Sequence, residues 1–354
     1  MSTLKVDTIQ HSDGTEYVLS ERNKVINGDF SVAQRGTTLT STDSANNDAK
    51  YTLDRWQLFS DGNDIVDVSQ ETTTVPTNQL YAIALDVETA NKKFGIAQKI
   101  EQKNCVDLIG QEVTLSFKAK VSATTNLDNV KCAIIAWDGT ADTLTDDMIS
   151  AWGSEGTDPT LATNYTYENT PANLNLTTSY ATYTTTATID TSGAKNVVVF
   201  IWSDVTTTSA GEFLYVTDIQ LEKGPKATTF ERKSFGQQLD DCQRYYQNVG
   251  DITIVTAAAL DTDGGSGTNM GFIQIPFPTV MRANPDINIG SQTLYRWTGG
   301  SPNQYVAQTS SLLGNGGYTI SNRQCAIRFG TYANRTQGIS FKCVATGVTL
   351  ASEL

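Results

Sequence analysis

The run Glu112–Val121, EVTLSFKAKV, restricts the fold more than any other stretch of this chain. Val113, Leu115, Phe117, Ala119 and Val121 take every second position, with Thr114, Ser116, Lys118 and Lys120 between them. Successive side chains of an extended chain point to opposite faces, so this spacing specifies a strand with one face in a core and one in water. Similar short runs recur with turn residues between them: KVING, RWQLFS, IVDVSQ, YAIALDV, FGIAQKI, KCAIIAWD, YATYTTTATI, NVVVFIWS and FLYVTDIQLE. Their number and spacing predict a β-sandwich or jelly roll over residues 25–232. NVVVFIWS is almost wholly apolar and is expected in a central strand. The alternation of FLYVTDIQLE puts Tyr215, Thr217, Ile219 and Leu221 on one face. Residues 141–175 make a long excursion of the kind that is usually functional in a compact domain.

After this set the pattern changes. KGPKATTFERK holds Gly224 and Pro225 and reads as a tether. Ser234 with Gln237 three residues on is a capping-box pattern. Leu239, Cys242, Tyr245 and Tyr246 then recur near helical spacing, and Gly250 reads as a stop. A helix over about 235–248, inside a linking segment 233–250, is expected. Its apolar stripe is expected to meet a domain or the same helix in sister chains, with Leu239, Tyr245 and Tyr246 as oligomer contacts. Residues 251–354 return to strand patterns (DITIVTAAAL, NMGFIQIPF, DINIG, LYRW, YVAQTS, YTISN, QCAIRFG and GISFKCVATGVTL) and read as a second, smaller β-sandwich. Residues 1–24 stand apart. LKVDTIQ, the SDGTE turn and YVL read as a hairpin too short to be stable alone, so an attachment segment is expected there. The fold class is therefore all-β, with one linking helix.

Charge supports the boundary near residue 235. Residues 1–234 carry 18 basic and 31 acidic side chains, and residues 235–354 carry 7 of each. Phosphate binding wants clustered Lys and Arg, so a nucleic-acid partner is not expected. The five cysteines, Cys105, Cys132, Cys242, Cys325 and Cys343, form no CxxC pair and read as buried thiols. No window approaches ~18 consecutive apolar residues, so membrane insertion is not expected.

The catalytic inventory is thin. The one histidine, His11, sits in the hairpin turn, and no HExxH, P-loop or dinucleotide fingerprint is present. Asp146/Asp147 and Asp240/Asp241 are adjacent acidic pairs, but sequence neighbours rarely point the same way. No enzyme activity is expected. Sugar binding needs less: aromatic rings for the C–H faces and a few amide, acid or guanidinium partners for hydroxyls. The candidates are Trp137 at a strand end, Trp152, Tyr165 and Tyr167 in the excursion, and Tyr295, Arg296 and Trp297 beside a glycine-rich turn. Trp56 and Trp202 read as core. Asp29 and Asp218 are candidate calcium ligands, because the first and last strands of a sandwich often pair.

The ordered set VINGDFSVAQRGTT, YTLDRWQLF and VTDIQLEKGPKATTFERKSFGQQLDDCQRYYQ resembles tailed-phage and prophage tail-fibre-like proteins. Its first part is similar to jelly-roll carbohydrate-binding modules of families 4 and 9, in Asn27-Gly28-Asp29-Phe30 and Asp218-Ile219-Gln220-Leu221. MSTLKVDTIQ is similar to the N-termini of marine and cyanophage fibre proteins. The resemblance implies a virion tail fibre, a homotrimer, attached to the tail or another virion protein through residues 1–24. It also implies adsorption to host surface polysaccharide, assembly in the host cytoplasm and release by lysis. The rival readings are a structural virion protein without receptor activity (head fibre, decoration protein or tail adaptor) and a polysaccharide depolymerase. The sugar-module family often has an acidic metal ligand just after NGDF, where Ser31 stands here.

Overall fold

The computed structural model describes residues 21–257, 269–297, 305–307, 316–331 and 340–354. The N-terminal hairpin and His11 lie outside the described residues. The chain divides into two compact units, residues 1–235 with Leu354, and Gly236–Glu353.

The first unit is a jelly-roll-like β-sandwich. Its strands are β1 (Thr38–Leu39), β2 (Lys50–Tyr51), β3 (Gln57–Ser60), β4 (Val66–Glu71), β5 (Ala82–Val87), β6 (Phe94–Ile100) and β7 (Glu112–Val121). There follow β8 (Val130–Trp137), β9 (Ile149–Ala151), β10 (Thr160–Leu161), β11 (Tyr165–Tyr167), β12 (Ala181–Thr188), β13 (Asn196–Ser203) and β14 (Phe213–Lys223). One antiparallel sheet has the order β1-β4-β5-β14-β7-β12, and the other β11-β8-β13-β6-β3-β2, with β9 and β10 as a separate hairpin. β13 is interior to its sheet, as its apolar run predicts. The short helix α1 (Gln102–Cys105) joins β6 to β7. The core lies between the sheets: Val113, Leu115, Phe117 and Leu214 from one meet Ile96, Ile134, Val199 and Ile201 from the other. Trp56 and Trp202 are fully buried.

Three expectations need correction here. KVING is not a strand. Asn27 is left-handed at φ 57, and its side chain takes Val32 N and donates to the carbonyls of Val32 and Asp54, so the segment turns instead of extending. Gly28 then passes so close to Ile219 that a Cβ would stand 2.1 Å from its carbonyl oxygen. Ile219 N donates to Gly28 O at 2.9 Å, which ties the start of the domain to its last strand.

The second correction concerns β14. Tyr215 and Thr217 do not share a face with Ile219 and Leu221. Asp218 sits at φ 54, and the register against β7 shifts between Thr217 and Gln220. This bulge moves Ile219 and Leu221 to the core beside Leu214 and Val216, and leaves Tyr215 outward opposite Lys120.

The third concerns KGPKATTFERK, which is no free tether. It folds back over β14: Glu222 accepts from Thr228 N at 2.8 Å and Thr228 Oγ1 at 2.7 Å, and Gln220 Oε1 accepts from Glu231 N at 2.8 Å. Thr114 Oγ1 donates to Gly224 O at 2.6 Å. The half of β7 expected to be wet is therefore covered at Thr114 and Ser116, and stays half-exposed only at Lys118 and Lys120.

The helix α2 spans Phe235–Gln243 and, from Gly236 on, belongs to the second unit. It starts where the capping pattern predicts but ends before 248. The β-prone run from Tyr246 opens β15 (Tyr246–Ala257), because pairing with a distant strand outweighs local helical spacing. β16 (Asn269–Pro276), β17 (Asp286–Asn288), β18 (Ser291–Trp297), β19 (Tyr305–Ala307), β20 (Gly316–Ser321), β21 (Gln324–Thr331) and β22 (Ser340–Ala351) follow. They form one antiparallel sheet of β15, β22, β18, β19 and β17, and another of β16, β21 and β20. Gly250 does not stop a helix. It lies at φ 74 within β15, beside a register shift against β22.

Candidate functional site

The outward face of β14, β7 and β12 carries a cavity of about 220 Å³. Its lining includes Gln79, Lys118, Thr182, Asp218, Phe230 and Arg232. Each wall has a local cause. Lys118 is an outward position of the alternating strand β7. The bulge at Asp218 turns its carboxylate outward, where Lys118 Nζ lies 2.9 Å from Asp218 Oδ2. Gln79 Nε2 donates to Asp218 Oδ1. Arg232 Nη2 donates to Asn78 O at 2.7 Å, so the folded-back segment grips the β4–β5 loop. Phe230 is half-buried between Thr229 and Glu231. The site thus brings together an amide, a carboxylate, an ammonium, a guanidinium, hydroxyls and a ring.

Beside it on the same face lies an aromatic ledge, in which Tyr215 is buried and Tyr180 and Phe213 are half-buried. Lys120 Nζ stands 5.5 Å from the Tyr215 ring centroid and 5.9 Å from that of Tyr180. Phe213 stacks on Tyr215 at 5.5 Å with an interplanar angle of 9°. Tyr180 Oη donates to Thr74 O at 2.8 Å, which fixes its ring under the same loop. Burial pushes the Tyr180 and Tyr215 hydroxyls above the ordinary phenol range, and the charge of Glu71 adds to this.

The aromatics expected to meet sugar stand elsewhere. Trp137, Trp152 and Tyr165 are buried, and are corrected from solvent-facing candidates to interior residues. Residues 145–157 of the excursion lie over the outward side of β6 and β13, opposite the cavity-bearing sheet, and Tyr165–Tyr167 join the same sheet as β11 beside β8. There Trp152 packs 6.2 Å from Phe200, Trp137 4.7 Å from Tyr165, and Tyr167 6.4 Å from Trp202. Tyr167 is half-buried and donates to Pro159 O at 2.8 Å. Burial pushes the Tyr165 hydroxyl up to about 12. The excursion is held by buried lysines. Lys93 Nζ donates to Ser154 O at 2.7 Å and Thr157 O at 3.0 Å, and pairs with Asp204. Lys99 Nζ donates to the carbonyls of Thr145 and Asp146, each at 2.9 Å.

Asp29 and Asp218 come from backbone segments that touch, yet their carboxylates have other partners. Asp29 Oδ1 accepts from Ser31 Oγ at 2.9 Å, and Asp218 is taken by Lys118 and Gln79. Among the described residues no group of three or more His, Cys, Asp or Glu is arranged to hold a metal ion. Cys105, Cys132 and Cys242 are buried free thiols, and burial pushes Cys105 and Cys132 up to about 12. Tyr295, Arg296 and Trp297 are successive residues of β18, with Trp297 opposite Tyr305 in β19. Of the expected oligomer contacts, Leu239 is half-buried in α2. Tyr245 is fully buried within the chain and Tyr246 lies in β15, so the helical stripe does not include them.

Sequence reading missed Gln79, Phe230 and Arg232, which lie in segments read as loop and tether. The signal for Phe230 and Arg232 was ATTFER itself, where an aromatic and a charged pair follow a Thr pair; Gln79 carried none.

No family model matches the chain, and no curated protein matches it. Solved structures do. The enzymatically active domain of tailspike protein 4 of bacteriophage CBA120 is 14% identical, with a TM-score of 0.35. The match covers 59% of this chain and 23% of that one. A putative sugar-binding protein from Bacteroides thetaiotaomicron is 15% identical with a TM-score of 0.35, covering 57% of this chain and 100% of that one. The CBM22-1 xylan-binding domain of Paenibacillus barcinonensis Xyn10C is 12% identical with a TM-score of 0.30, covering 49% and 87%. Among the described residues no helix is long and apolar enough to cross a membrane.

Proposed function

We propose that the first unit is a non-covalent glycan reader and that the chain is a fibre protein of a phage virion. The observation that carries the binding reading is the cavity between Gln79, Lys118, Asp218, Phe230 and Arg232. An amide, a carboxylate and a guanidinium converging beside a ring are the partners that sugar hydroxyls and C–H faces require. Asp218 is engaged by Lys118 and Gln79, an arrangement that orients an acceptor and asks nothing of covalent chemistry.

The virion setting rests on the sequence resemblance of MSTLKVDTIQ and of the ordered set VINGDFSVAQRGTT, YTLDRWQLF and the stretch from Val216 to Gln247. In this reading residues 1–24 attach the fibre to the particle, and three chains associate with Leu239 among their contacts. A shallow site binding near ~1 mM is worth about −4 kcal/mol. Several sites engaging one surface raise the effective affinity by roughly 10²–10⁴ without new contacts.

A glycan array probed with the full chain and with a Gln79→Ala/Arg232→Ala variant tests the reading. Specific hits that the double variant loses support it. An array without hits, or hits untouched by the variant, refutes the assignment of the site.

A further inference from the structure

The cavity and the ledge differ in how their cations are satisfied, and this difference bears on the ligand. Lys118 is neutralised by Asp218 at 2.9 Å. Lys120 is the next outward residue on the same strand, roughly 7 Å away by strand rise. It is half-exposed, and among the described residues its ammonium meets no carboxylate within ion-pair distance. Two ring faces hold it instead, at 5.5 and 5.9 Å. Ring quadrupoles steady an ammonium but accept no conventional hydrogen bond from it, so its donors remain available. Two carboxylates, Glu71 and Asp86, lie near these rings, and neither pairs with Lys120. Glu71 Oε1 accepts from Thr73 Oγ1 at 2.6 Å and Thr74 N at 2.8 Å, and Asp86 is paired in register with Phe213, beyond Tyr215 on the same face.

We propose that the site takes an acidic polysaccharide, with a sugar in the cavity and the carboxylate of a uronic acid on Lys120. The inference rests on the glycan reading above and names the ligand class. The first 234 residues are strongly acidic overall, so a polyanion gains nothing from the general field and needs a local cation. At physiological salt, charges beyond about 8 Å are largely screened, and the local cation decides. Tyr180 and Tyr215 keep Lys120 from swinging away, and the Thr74 carbonyl keeps Tyr180 in place.

Titration calorimetry of the full chain tests this with polygalacturonate and alginate, each beside its methyl-esterified form. Esterification keeps the backbone sugar and removes the charge. The expected result is binding of the acidic forms, weakened about tenfold by esterification and by Lys120→Gln, the worth of one charge-assisted hydrogen bond. Lys120→Arg retains binding, and an unchanged melting temperature of Lys120→Gln excludes a folding defect. Equal binding of acidic and esterified forms, or a Lys120→Gln protein that binds as the parent does, overturns the inference and leaves the glycan reading standing. Binding of none of the four polymers also overturns the inference, and the glycan array above decides the glycan reading separately.

Discussion

Lys118 Nζ lies 2.9 Å from Asp218 Oδ2, across β7 and β14, at a bulge in β14 that turns the carboxylate toward the cavity Lys118 already faces. The pair couples fold and site. Asp218 occupies a left-handed conformation that Asp tolerates better than most residues, and its carboxylate is almost fully buried. Asp218→Ala removes the acceptor for both Lys118 and Gln79, a loss of about 1.5–3 kcal/mol for a hydrogen bond to a charged group. Asp218→Asn keeps the backbone preference and is expected to cost less. Urea titration of the two variants checks the order; an Ala variant as stable as the parent contradicts it.

Gly28 is the point where the domain's start meets its end. A Cβ there would stand 2.1 Å from Ile219 O, a backbone atom that cannot rotate away. Gly28→Ala is expected to destabilise the first unit by about 3 kcal/mol, the upper range for overpacking. Thermal unfolding followed by tryptophan fluorescence reads this. A shift within error of the parent shows that the turn relaxes freely.

Lys93 is buried with Asp204 and donates to the carbonyls of residues 154 and 157. Lys93→Met leaves part of the Asp204 charge and the carbonyls of residues 152, 154 and 157 without this donor, at a cost of about 3–5 kcal/mol for a broken buried pair. Lys131 stays at 2.8 Å from Asp204 and limits the damage, so the lower end is expected. The excursion should open first, giving faster proteolysis between 150 and 160 than elsewhere. Uniform cleavage would contradict its role as a clamp.

Asp67 and Asp86 stand opposite each other on β4 and β5. Burial raises both above the ordinary carboxylate range, and the charge of Glu88 adds to it. Their folded state therefore holds protons more tightly than the unfolded chain. Stability is lost as pH climbs from the ordinary Asp value of 3.8 through the raised one, and the penalty persists at neutral pH. Asp86→Asn should stabilise the protein by about 0.5 kcal/mol at pH 7, the scale of opposed like charges on a sheet, with the gain vanishing toward pH 3. A gain that is the same at both pH values would point to packing instead.

The sandwich was legible because its signal is periodic. β6, β7 and β13 match the boundaries read from FGIAQKI, EVTLSFKAKV and NVVVFIWS. The site was not, because it depends on breaks in that period. The bulge at Asp218 reverses the faces of β14, and nothing in an alternating pattern marks where one residue is skipped. ATTFER forms a wall of the cavity only through Glu222 and Gln220, partners that composition does not reveal. Trp137 and Trp152 look like solvent-facing rings in sequence. They are buried because the excursion and its lysine anchors fold over them, a long-range event.

The most direct test of the central claim is hydrogen–deuterium exchange of the full chain, alone and with purified polysaccharide from a susceptible host. If the outward face of β7 and β14 is the reader, protection appears in peptides covering 72–81, 116–121 and 224–232, and peptides covering 291–297 exchange unchanged. Protection confined to 291–307, or none at saturating polysaccharide, contradicts the claim.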